Sequence, residues 1–95
     1  MTERLVEAVE EDTSLTSVEK ETTIRFSKAD DRASVYTEEA GLMRRLLRHH
    51  HFEAESLRVN SDDAKGKKVA PNDFKEGSIT GVGGSIPIES LVLQT

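Results

Sequence analysis

The run His49-His50-His51 is the most conspicuous set of residues in this chain that could do chemistry. Successive residues of a helix point about 100° apart, so three adjacent imidazoles cannot converge on one ion. Metal-binding helices separate their ligands by three or four positions, and here those positions hold Leu46 and Leu47. The spacing therefore nominates no metal site. It suits the histidines instead to the negative end of a helix.

Arg44, Arg45 and Arg48 form the second group. On a helix they fall at about 0°, 100° and 40°, while Leu42, Met43, Leu46 and Leu47 occupy about 160° to 300°. The two stripes do not overlap. A guanidinium stripe fits phosphate or the carboxylates of a partner, and these three arginines are the candidate contact residues. The same stripe also serves as a solvated face that complements the helix dipole, or as a seat for an acidic segment of the chain itself.

Other motifs carry less. Gly81-Val-Gly-Gly84 lacks the lysine of a phosphate loop, and Pro87 stands where a phosphate-binding helix would begin, so it reads as a turn between strands. Asp62, Asp63, Lys65, Lys67 and Lys68 mix signs without calcium-loop spacing. There is no cysteine and no Gly-x-Ser-x-Gly elbow, and no local pattern nominates a carboxylate pair or a Ser/His/Asp set. The sequence nominates no catalytic residue and no cofactor, and predicts a protein that is not an enzyme.

The elements that would position these groups follow from periodicity. Residues 1–21 form an acidic arm, opposed only by Arg4 and Lys20, which is either a frayed tail or a short docked helix with Leu5, Val6 and Val9 on one side. Residues 22–95 read as a single α+β domain. Thr22-Thr-Ile-Arg-Phe-Ser27 and Ala33-Ser-Val-Tyr-Thr37 alternate, and the polar stretch 28–32 joins them as a hairpin. Thr37, Glu38 and Glu39 open a helix expected to reach about His50. A strand over 55–59, a short edge strand over 67–70 stopped by Pro71, and extended segments over 78–82 and 86–94 complete the pattern. The predicted fold is an antiparallel or mixed sheet opened by a hairpin, with one main helix packed on one face. Its predicted core comprises Ile24, Phe26, Val35, Leu42, Met43, Leu46, Leu47, Leu57, Val59, Phe74, Ile79 and Leu91.

Composition sets outer bounds. The chain has 95 residues, 35% of them hydrophobic, three Phe, one Tyr and no Trp, so aliphatic side chains must build most of one core. A net charge of −5 disfavours indiscriminate binding to nucleic acid or anionic membranes. No apolar run is long enough to span a bilayer, and Glu3 and Glu7 stand where a signal peptide requires positive charge and then apolar residues. The expected location is the cytoplasm, or a virion assembled there.

Glu21-Thr-Thr-Ile-Arg-Phe26 followed by Asp30-Asp-Arg-Ala-Ser-Val-Tyr-Thr37 resembles the opening of a group of small proteins from haloarchaea and from phages or proviruses. The haloarchaeal members continue with counterparts of Gly41-Leu-x-Arg-Arg-Leu-Leu47, of Ser56-Leu-Arg-Val59, and of Gly81, Gly84 and Pro87. The likeness spans roughly residues 21–94, and its short motifs carry no chemistry. It implies a halophilic source and a link to viral or mobile DNA, and it brings no activity. With the absence of a catalytic set, it predicts a non-enzymatic interaction or structural protein. The expected partner is a protein, self-association included. The alternative is a nucleic-acid-binding accessory factor using Arg44, Arg45 and Arg48.

Overall fold

Five extended segments pair into one sheet in a computed structural model, which describes residues 2–10, 20–26 and 31–90. In chain order the elements are helix α1 (Thr2–Ala8), β1 (Thr22–Phe26), β2 (Arg32–Thr37), helix α2 (Ala40–Arg48), β3 (Glu53–Asn60), β4 (Lys67–Val69) and β5 (Ser78–Pro87). Short 3₁₀ turns occupy Pro71–Asp73 and Ile88–Ser90. The strand order is β1-β2-β5-β3-β4, and every pairing between strands is antiparallel. The fold class is α+β, opened by the β1-β2 hairpin, with α2 as the main helix against the sheet.

β5 is the central strand. β2 lies along residues 82–87 of it, and β3 along residues 78–85. The N-terminal end of β5 extends past the end of β2, and Val9 and Glu10 fill that gap. Val9 bridges Ile79 in parallel, the Glu10 N–H donates to the Ile79 carbonyl at 3.0 Å, and Ser78 Oγ donates to a Glu10 carboxylate oxygen at 2.9 Å. α1 is thereby anchored at its C-terminal end. At its other end Arg4 Nη2 donates to the carbonyls of Phe74 and Lys75, with its guanidinium over the Phe74 ring.

The core sits between the sheet and the two helices. Leu5, Val6, Val9, Ala40, Met43, Leu47, Leu57, Val59, Phe74, Ile79 and Val82 form its larger part, and Val35, Leu46 and Ile86 a smaller one, with Leu42 half-buried beside them. Phe74 plugs the core from a turn, as its isolated position among polar residues suggests. Arg32 ties β2 to β5 and to the turn before β3: Nε donates to Ser85 Oγ at 3.0 Å and Nη2 to the His51 carbonyl at 2.8 Å.

Several expectations are corrected. Ile24 and Phe26, predicted inward, are 42% and 64% exposed, because β1 is an edge strand beyond the reach of the nine-residue helix α2, whose main contact with the sheet is β5. α2 begins at Ala40 rather than Glu38 and ends at Arg48 rather than His50. The Thr37 hydroxyl does accept the Glu39 N–H at 3.1 Å, but Thr37 itself is fixed in β2, which delays the helix. The two segments expected over 78–82 and 86–94 are one strand through Pro87, and Leu91 lies outside the described residues.

Candidate functional site

α2 presents the arginine stripe as its spacing requires. Ala40, Met43, Leu46 and Leu47 are buried, and Arg44, Arg45 and Arg48 are exposed on the other side. α1 packs beside α2 and meets the stripe at two points. Arg44 Nη2 donates to the Val9 carbonyl at 3.3 Å, and Arg48 Nε stands 3.9 Å from a Glu3 carboxylate oxygen. Both Arg48 and Glu3 are well exposed, so their pairing contributes little. Arg45 makes no ion pair or hydrogen bond among the described residues. The arm thus takes two of the three guanidinium groups as neighbours.

The histidines terminate α2. The His49 N–H donates to the Leu46 carbonyl, and His49 Nδ1 accepts the His51 N–H at 3.1 Å. Among the described residues no group of three or more His, Cys, Asp or Glu is placed to hold a metal ion.

Gly81, Gly83 and Gly84 lie within β5 and do not form the turn that their sequence suggests. The physical reason is crowding from both sides. A Cβ at Gly81 would stand 2.7 Å from the Tyr36 hydroxyl and 2.9 Å from Arg58 Cβ, and one at Gly84 would collide with the Glu53 carbonyl. On the helix-free face of the sheet Gly81 and Gly83 let Tyr36 lie flat across β5, while Gly84 faces the helix side beside Phe52. Its hydroxyl donates to a Glu38 carboxylate oxygen at 2.6 Å, Arg58 Nε stands 4.0 Å from the same oxygen, and Arg58 Nη1 donates to Thr80 Oγ1 at 2.8 Å. Burial, reinforced by the Glu38 carboxylate, holds the Tyr36 pKa well above the usual tyrosine value. The hydroxyl therefore stays protonated and acts as a donor. A shallow depression of about 400 Å³ adjoins it, lined by Glu21, Thr23, Arg25, Ser34, Ser56 and Gly83 among others.

This network escaped the sequence reading, although a signal existed. Glycines at alternate positions of a strand leave one face flat, and an aromatic residue on the next strand can occupy it. Chemically the network is self-satisfied: Glu38 also accepts the Glu21 backbone N–H, at 3.0 Å. It braces β2, β3 and β5.

The two sheet edges differ. β4 has three residues, exposes Lys67 and Lys68, and runs into Ala70-Pro71, which protects it against pairing. β1 has five residues, no lysine, no proline and no bulge, and its Ile24 and Phe26 are exposed on the face that α2 covers further in. Alternation puts Thr23 and Arg25 on the opposite, polar face with Glu21.

Fold and surface together define a small two-layer α+β protein with one guarded and one open sheet edge. Comparison with family models, curated proteins and solved structures finds no match for this chain. No helix among the described residues is long and apolar enough to cross a membrane.

Proposed function

We propose that this protein acts by contact, as a non-enzymatic interaction or structural protein, through the surface around β1. The observation that carries this reading is the exposure of Ile24 and Phe26 on an edge strand whose backbone groups, among the described residues, are open to pairing. Monomeric proteins ordinarily protect such an edge, as β4 is protected here. The resemblance to haloarchaeal and provirus-associated proteins supports placing that contact in a virus or provirus of a halophile. Nucleic-acid binding through Arg44, Arg45 and Arg48 is the weaker reading. A −5 chain must concentrate its positive charge to attract a polyanion, and α1 sets Glu3 beside this stripe.

Two measurements separate the readings. Anisotropy titrations with single- and double-stranded DNA and RNA should show negligible binding by the parent and by the Arg44→Ala/Arg45→Ala/Arg48→Ala variant alike. A protein partner retained by the parent should be lost in Ile24→Ser/Phe26→Ser, whose side chains are exposed and whose folding should be intact. Salt-sensitive nucleic-acid binding that vanishes in the triple variant, with a salt slope reduced by about one unit per lost phosphate contact, overturns the proposal.

A further inference from the structure

We infer that the β1 edge takes the β1 edge of a second copy of this chain, antiparallel, with Thr23 at the two-fold axis, joining two sheets into one. This rests on the contact reading above and names its partner. The hydrogen-bond parity of β1 is fixed by its hairpin. The Glu38 N–H donates to the Glu21 carbonyl at 2.8 Å, and the register sets Thr22 opposite Thr37. Bonded pairs alternate along an antiparallel ladder, so Thr23 and Arg25 bond to β2, while Thr22, Ile24 and Phe26 direct their N–H and C=O groups outward. The contact of Thr22 Oγ1 with Thr37 Oγ1 at 2.7 Å matches the closer side-chain spacing of a non-bonded pair. The outward groups recur at every second residue, as a second strand requires.

Charge selects the occupant and the register. With Thr23 opposite Thr23, Thr22 and Ile24 of each copy exchange hydrogen bonds with Ile24 and Thr22 of the other. Arg25 of each copy then faces Glu21 of the other on the polar face, so the symmetry forms the pair twice. Shifting the axis to Ile24 keeps the hydrogen-bond parity but sets Arg25 opposite Thr23 and loses both charge pairs. On the other face Ile24 meets the methyl-bearing Thr22 of the second copy, and Phe26 is flanked by the arriving strand. The remainder of each chain is acidic, and the dimer places no acid opposite an acid between residues 21 and 25.

Sedimentation of the full chain over about 1 to 200 µM should show a concentration-dependent species of twice the chain mass. Arg25→Glu should weaken this dimer about tenfold or more by placing carboxylates opposite each other, and adding Glu21→Arg should restore it. Thr23→Cys provides a geometric check in a cysteine-free chain. Its pair lies at a Cα separation of about 4.5 Å, within disulfide range, so it should cross-link far faster than Ser34→Cys, exposed on the same face of the neighbouring strand. A monomer at every concentration overturns the inference, as does a dimer indifferent to Arg25→Glu or not restored by the double exchange. A monomeric parent that still loses a protein partner in Ile24→Ser/Phe26→Ser overturns self-pairing alone and leaves the contact reading standing.

Discussion

Tyr36 shows how one side chain organises the open face of the sheet. Its ring lies over the glycine track of β5, and its hydroxyl donates to Glu38, which also stands near Arg58. The folded state holds the Tyr36 proton more tightly than the unfolded chain does, because burial and then the Glu38 carboxylate raise its pKa. The contribution to stability is fully present below the unfolded value of about 10 and is lost as pH rises through the folded value. The unfolded chain releases its proton first, so stability should fall with rising pH from about pH 10. Lysines titrate in the same range, so the comparison is with Tyr36→Phe, which should lack this part of the slope. The chain has one tyrosine, and phenolate absorbance reports its ionisation directly. A native-state phenolate appearing at the ordinary tyrosine pKa would contradict the geometry.

At the scale of elements, the consequential arrangement is α1 against α2 and β5. A two-turn helix is marginal in water, and α1 persists because Leu5, Val6 and Val9 enter the same core as Met43, Leu47 and Ile79. Arg4 and Glu10 hold its two ends to the rest of the fold. Leu5 and Leu47 are buried to a similar degree, so truncation to Ala at either position should cost about 2–5 kcal/mol. Chemical denaturation of Leu5→Ala and Leu47→Ala checks this. An unchanged midpoint for Leu5→Ala would mean that α1 frays in solution, and an unchanged midpoint for Leu47→Ala would require α2 to be turned the other way. α1 docks on apolar contacts and sets Glu3 beside Arg48.

For the whole molecule, charge is the controlling variable. At −5 over 95 residues the surface repels itself, and salt should relieve this as the Debye length drops from about 10 Å at 0.1 M to about 3 Å or less above 1 M. The melting temperature should therefore rise between about 0.1 and 2 M KCl, with chloride preferred to sulfate because sulfate also strengthens apolar burial. A flat or falling melting temperature argues against the halophilic source implied by the sequence resemblance. If the chain pairs through β1, protein concentration must be held constant in this series, since association raises apparent stability by itself.

Periodicity in the sequence determined the strands β1, β2 and β3, the hairpin, and α2 with its apolar and guanidinium faces. The reason is local: alternation and helical spacing fix which side chains share a face whatever lies beyond. Buried Val35, Met43, Leu47, Leu57 and Val59 all follow from that rule. Long-range placement was decided only by the tertiary structure. Ile24 and Phe26 share a face with Val35 yet remain exposed, because burial also requires a covering layer and α2 stops short of the edge strand. The three glycines lie within a central strand because Tyr36 and the Glu53 carbonyl crowd them from neighbouring strands, a contact that no local pattern encodes. Strand order, too, was settled by packing across the chain. It placed β1 and β4 at the two edges and left only one of them open, which is the feature on which the proposed contact rests.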